Sequence, residues 1–428
     1  MASVEPTNPL PHSQGIIGGL HFIGFNQDNT SLMAGTSLGY RLISWQDANS
    51  VEDTTESSGK DGLSVNPNNS IFSAGSDVVL VERLFNSSLI AIVNQSTRRK
   101  LRICHHKKGS EICTYGYPNT ILSVKLNRQR LLVVLEESLY IHNIKDMKVL
   151  HIIGDTPPNP LGICALSYNS EKNYLAYPGS SQIGEVQVFD TVNLRAVTMI
   201  QAHSSPLAAL SFTASASALA TASEKGTVIR VFDISTGQRL HEFRRGVKRC
   251  VTIYCLSFSI DERFLAASSN TETIHVFLLD ESANEGAAGT NSAVGEAEAP
   301  QGWWGYMGKV IVSPAASLLP TQVTDVFTQG RAHAQAYLPN ASTRTICAVV
   351  TLQDKRVVMV ATIEGMLYMY ELSDSPEDGC KMLCKHNLID MMKSKQTAGD
   401  EHLSDHHILS HNTVGSIDDS PPSTHFPD

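Results

Sequence analysis

Long apolar runs are missing from this 428-residue chain. No stretch reaches the roughly 18 consecutive apolar residues that a membrane-spanning helix needs, so no such helix is expected. The first residues, 1–14, lack the basic and apolar segments of a secretory signal. Eight cysteines stand at 104, 113, 164, 250, 255, 347, 380 and 384. They form no C-x2-C pair, which argues against a zinc site, and no tight framework, which argues against a disulfide scaffold. Reduced, mostly buried thiols are the reading that remains. The catalytic signatures are missing too. There is no G-x-S-x-G elbow, no H-E-x-x-H, no G-x-x-x-x-G-K-[ST] and no G-x-G-x-x-G. No enzyme is expected, and no cofactor or metal. The tail histidines His402, His406, His407 and His411 have nothing nearby to orient them as ligands.

A strong basic balance is also lacking. The net charge is −9, which speaks against a nucleic-acid binder. Its distribution is uneven. Residues 371–428 hold 11 acids and 4 lysines, and residues 280–301 hold five acids and no base. The remainder carries +3, so the body is mildly basic and the acidity lies in two polar segments. Two basic clusters stand out. Residues 98–108 contain six Lys or Arg, and residues 239–249 contain five against Glu242.

What the chain has in quantity is a repeat. A short apolar strand, a polar turn and an alternating strand recur as SLMAGTSLGYRLISW, LIAIVNQSTRRKLRIC, LLVVLEESLYIH, YLAYPGSSQIGEVQVF, ALATASEKGTVIRVF, FLAASSNTETIHVF and VVMVATIEGMLYMY. The copies end at Trp45, Cys104, His142, Phe189, Phe232, Phe277 and Tyr370, with spacings of 59, 38, 47, 43, 45 and 93. The central spacings match the roughly 40–45 residues of a four-stranded propeller blade. Period-2 alternation, as at Val228 to Val231, identifies strands. One copy cannot bury its own apolar face, so the blades must stack around an axis. The sequence predicts an all-β, seven-bladed β-propeller over 16–373. Residues 1–15 and 374–428 are expected to be disordered, and 280–330 to form a long loop in the sixth blade. Two separate β-sandwiches would match the strand count but not the shared period.

The motif Glu242-Phe243-Arg244-Arg245-Gly246 closes the fifth copy. Neighbouring residues of an extended chain point to opposite sides. Arg244 and Arg245 should therefore face different blades. The flanking copies supply Thr221, Ser223, Gly226, Thr227 and Arg230 with His203 upstream, and then Ser268, Ser269, Thr271, Thr273 and His275. Aligning Phe232 with Phe277 puts Arg230 opposite His275, a cation in each blade. Guanidinium, hydroxyl, imidazole and a close backbone form a phosphate-binding set. The bland alternative is that the hydroxyls close turns and the arginines make surface ion pairs. On the residues alone both readings stand.

Phe243-Arg244-Arg245-Gly246, with LATASEKGTVIRVF and AASSNTETIHVF, resembles the PROPPIN family of phosphoinositide-interacting WD-repeat proteins. The resemblance spans about residues 19–373. It implies binding of phosphatidylinositol 3-phosphate and 3,5-bisphosphate at two rim sites. The first would use His203, Ser223, Gly226, Thr227, Arg230 and Arg244, and the second Arg245, Ser269, Thr271, Thr273 and His275. It also implies membrane insertion by the loop that holds Trp303, Trp304, Tyr306 and Met307, two of the chain's three tryptophans. Such side chains suit the headgroup boundary, although the aromatics packing back on the blade is the competing reading. It implies, too, a partner groove on the second and third blades at His105, Lys108, Arg128 and Lys145. The partner there would be the coiled-coil subunit of the ubiquitin-like conjugation complex of autophagy. The implied location is cytoplasmic, peripheral on pre-autophagosomal and endosomal membranes. The alternative function is a WD-repeat protein–protein scaffold without lipid specificity.

Overall fold

The computed structural model describes residues 19–45, 77–245, 250–279, 331–342, 344–375 and 379–389. Their strands form seven antiparallel sheets in chain order, each a meander of sequential neighbours. These are the blades: 20–44, 78–116, 123–153, 165–203, 207–244, 253–337 and 345–387. The inner strand of each blade touches the inner strand of the next, and that of the seventh touches that of the first. The ring is therefore closed, and the fold is a seven-bladed β-propeller.

The first blade has three strands among the described residues and the other six have four, and each sequence copy supplies the second and third strands of one blade. In the fifth blade these are Ala218–Ser223 and Val228–Asp233, paired with Thr221 opposite Arg230. The middle strands are legible because both faces are covered. Ala218–Ser223 and Phe264–Ser269 are buried along their whole length.

The core is divided among the blade interfaces. Seven apolar clusters each join two adjacent blades. One packs Ile229, Val231 and Phe243 of the fifth blade on Ile253, Leu265 and Phe277 of the sixth. Another closes the ring, with Leu32, Ile43 and Trp45 on Ala348, Met359 and Met369. Burial of this kind stabilises by about 25 cal/mol per Å2 of apolar surface, and it does so only between neighbours.

Turns are closed by short polar side chains. The Asn127 carboxamide oxygen accepts from the amides of Gln129 and Arg130, at 2.9 and 2.7 Å. Asn169 does the same for Glu171 and Lys172 in the next blade. These Asx turns fix the first hairpin of a blade, and their amide nitrogens tie it to the next, Asn127 donating to the Ser167 carbonyl at 2.8 Å and Asn169 to the Ala214 carbonyl at 3.4 Å.

One boundary differs from the expectation. The seventh blade has an outer strand, Cys380–Asn387, so the sheet runs past the expected end at 373. The strand escaped notice because it is exposed or half-buried throughout and therefore lacks an apolar signature. The 280–330 segment leaves after Leu279, next to the third strand of the sixth blade, Thr273–Leu278, and returns before the outer strand, Ala334–Tyr337. Its Trp303, Trp304, Tyr306 and Met307 lie outside the described residues, as do 1–15 and 390–428 of the expected termini. Among the described residues no helix is long and apolar enough to cross a membrane.

Candidate anion site at the junction of the fifth and sixth blades

The site begins with one strand end. The outer strand of the fifth blade, Arg239–Arg244, alternates by pleat. Phe243 turns inward and stacks on Phe277 of the sixth blade with ring centroids 4.7 Å apart. That contact anchors the motif between blades. Arg244 then points outward, 70% exposed, with Nη2 3.5 Å from Glu242 Oε1 of its own blade. Arg245 goes to the other side and donates through Nη2 to the Thr271 hydroxyl of the sixth blade. The two guanidiniums thus diverge.

The residues of the first set form a connected group. His203 Nε2 lies 2.8 Å from Thr221 Oγ1. Arg230 donates through Nη1 to the Ala202 carbonyl at 2.6 Å and through Nε to Glu242 Oε2 at 3.0 Å. Ser223 and Gly226 build the adjacent turn, in which the Gly226 amide donates to the Ser223 carbonyl at 2.8 Å. Gly226 has φ +61°, and a Cβ there would overlap the Val251 carbonyl oxygen. Only glycine combines that backbone with that close approach. The Thr227 carbonyl accepts from the Arg245 amide at 3.1 Å, which ties the turn to the motif.

In the second set, the Ser269 and Thr271 hydroxyls are 3.1 Å apart, and Thr271 receives Arg245. Thr273 and His275 follow on the third strand, paired with Tyr337 and Gln335. Ser269 and His275 are buried. Ser268 is a structural hydroxyl, donating to the Thr345 carbonyl at 2.9 Å.

One expectation is corrected. His275 was expected as a cation matching Arg230. Burial, reinforced by the charge of Arg245, lowers its pKa to about 4, so it is neutral at pH 7. Its Nδ1 is buried without a hydrogen-bond partner among the described residues. His203 is likewise lowered to about 4, by burial first and then by Arg230. Both are uncharged imidazoles at neutral pH.

Sequence reading undervalued Glu242 and did not single out Arg239. Glu242 pairs across strands with Arg230, and Arg239 Nη1 reaches Glu242 Oε2 at 2.6 Å. Hairpin register between the two strands is the signal that finds Glu242, whereas Arg239 pairs across the hairpin with Phe232 and reaches Glu242 along its own strand.

The four partner-groove candidates lie elsewhere. In an antiparallel meander, the first and last turns of a blade share one end, and the middle turn and interblade link share the other. Arg128 is in the first turn of the third blade, Lys145 in its last turn, and His105 and Lys108 in the last turn of the second. All four occupy the end opposite the Arg244 and Arg245 turns. The Arg128 guanidinium lies 4.2 Å over the Phe85 ring, bridging the two blades. His105 Nδ1 accepts from the Lys108 amide at 3.2 Å. Lys145 is exposed, and its amide donates to Asn143 Oδ1 at 3.2 Å.

Comparison with known proteins follows this geometry. The PROPPIN family model matches residues 19–389, including the outer strand of the seventh blade. Similar proteins include WD repeat domain phosphoinositide-interacting protein 2 of Gallus gallus, 54% identical over 87% of this chain and 79% of that protein. WD repeat domain phosphoinositide-interacting protein 1 of Homo sapiens is 48% identical over 88% and 78%. Autophagy-related protein 18 of Caenorhabditis elegans is 38% identical over 86% of each. Among solved structures, Kluyveromyces lactis Hsv2 superposes with a TM-score of 0.61 at 16% identity, covering 87% of this chain and 99% of its own. KlAtg21, solved in complex with the coiled-coil of AgAtg16, gives 0.61 at 23% identity over 86% and 99%. The chain belongs to the PROPPIN family.

Proposed function

We propose that this chain is a non-enzymatic effector that binds phosphatidylinositol 3-phosphate and 3,5-bisphosphate at two rim sites and scaffolds the lipidation machinery of forming autophagosomes. The observation that carries the reading is the divergence of Arg244 and Arg245, the first exposed beside Glu242 of the fifth blade and the second donating to the Thr271 hydroxyl of the sixth. A guanidinium fork grips a phosphate bidentately, and small hydroxyls donate to its remaining oxygens. His203, Ser223, Gly226, Thr227, Arg230 and Arg244 would hold one headgroup. Arg245, Ser269, Thr271, Thr273 and His275 would hold the other. Relatives named as phosphoinositide-interacting and as autophagy-related support the assignment.

Two modest sites on one rigid body act at high effective concentration, worth roughly 10²- to 10⁴-fold in overall binding. The loop with Trp303, Trp304, Tyr306 and Met307 belongs to the blade of the second set, and we assign it to the headgroup boundary. The groove with His105, Lys108, Arg128 and Lys145 is basic, and an acidic face on a coiled-coil subunit of the conjugation complex suits it. That KlAtg21 is solved with a coiled-coil motivates this choice. The protein would work in the cytoplasm, peripheral on pre-autophagosomal and endosomal membranes.

Vesicle flotation tests the lipid reading. Wild-type chain should float with vesicles containing the 3-phosphoinositides, and an Arg244→Thr, Arg245→Thr double variant should not. Equal flotation of both would leave a WD-repeat scaffold without lipid specificity.

A further inference from the structure

Glu242 occupies the centre of the first set. Three guanidiniums converge on its carboxylate. Arg230 Nε and Arg239 Nη1 reach Oε2 at 3.0 and 2.6 Å, and Arg244 Nη2 lies 3.5 Å from Oε1. Partial burial acts to raise its pKa, but the hydrogen bond and charge of Arg230, then Arg239 and Arg244, outweigh it and hold the carboxyl below its usual range. The group is therefore an anion at neutral pH, already placed where the proposed headgroup phosphate would have to bind.

The three arginines are held unequally. Arg230 is committed twice, to Glu242 and to the Ala202 carbonyl. Arg239 makes the shortest contact. Arg244 has the longest contact and the greatest exposure of the three. It is the guanidinium an incoming anion can draw away. The anion must still outbid a carboxylate that stays behind and repels it. A phosphomonoester brings three acceptor oxygens and a charge near −2. A phosphodiester brings a single negative charge and two free oxygens, no better than the carboxylate it faces.

We infer that Glu242 is a built-in competitor that sets a charge threshold at the site, admitting phosphomonoester headgroups and turning away lipids whose anions are only phosphodiester or carboxylate. This rests on the headgroup reading above and adds a specificity-determining residue to it. Glu242 acts through Arg244 and Arg230, so it is a positioning residue. It explains why an exposed arginine at a basic junction need not adhere to every anionic membrane.

The test uses the full chain and vesicles of phosphatidylcholine alone, with phosphatidylserine, or with phosphatidylinositol 3-phosphate. Glu242→Gln removes the charge and keeps an oxygen for Arg230. Binding to phosphatidylserine vesicles should rise about fivefold, the equivalent of about 1 kcal/mol per charge near an anionic leaflet. The gain should fade with added salt, and the preference for the 3-phosphate should contract accordingly. Glu242→Thr, which favours strand and carries no charge, should shift phosphatidylserine binding the same way if the glutamine variant folds poorly. Unchanged phosphatidylserine binding overturns the inference. So does equal loss on both anionic vesicles at an unchanged melting temperature, which would mean that Glu242 only shapes Arg230. Wild-type chain that ignores the 3-phosphate vesicles overturns the headgroup reading instead, in a separate arm of the same experiment.

Discussion

At the scale of single residues, burial decides what the candidate ligands are. His203 and His275 stand at about 4, against an ordinary value near 6.5. As pH falls, the unfolded chain takes up protons on these groups before the folded one does. Their contribution to stability is complete above about pH 6.5 and is lost as pH falls towards 4. The melting temperature should therefore decline across that window, and His203→Gln with His275→Gln should flatten the decline. A slope unaffected by both substitutions would contradict the assignment. Gly226 makes a sharper case. Gly226→Ala forces a Cβ into left-handed backbone against the Val251 carbonyl, at a cost of at least about 2 kcal/mol. Chemical denaturation should show that loss, and wild-type stability would refute the close approach. Glycine in a polar turn was legible from sequence. The carbonyl it packs against was not, because that contact belongs to a neighbouring blade.

At the scale of elements, the outer strand Arg239–Arg244 is the hinge of the account. Its pleat sends Phe243 into the core and Glu242 and Arg244 to the rim, and the chain turns at Arg245 towards the next blade. Phe243→Ala opens the interface between two blades and should cost about 3–5 kcal/mol. Headgroup binding should fall with it, since the motif loses its anchor against Phe277. A variant that melts like wild type would mean that the stack at 4.7 Å is incidental. The divergence of Arg244 and Arg245 followed from strand alternation alone. The Glu242 cluster did not, since it depends on which residues face across the hairpin, and the sequence motif does not display that register. The outer strands as a class were the least legible elements. Ser110–Gly116 and Cys380–Asn387 are largely solvated, so no apolar period marks them.

At the scale of the whole molecule, stability is shared among seven interfaces in a closed ring. Closure was legible from the repeat period, since one copy cannot bury its own face. The C-terminal limit of the ring was not. A chain ending at 375 lacks the outer strand of the seventh blade, with Leu388 and the Cys384 contact to Met369. It should melt well below a chain ending at 389 and with less cooperativity, whereas equal melting would place that strand outside the folding unit. The same closure fixes the fifth and sixth blades side by side, so the two candidate sets are held next to each other, as the proposed binding to one membrane requires. Vesicle flotation of Arg244→Thr and Arg245→Thr, singly and together, on membranes with and without phosphatidylinositol 3-phosphate is the most direct test of that arrangement. Each single variant should lose most of the binding and the double variant all of it. Single variants that float like the wild type would contradict two sites acting as one.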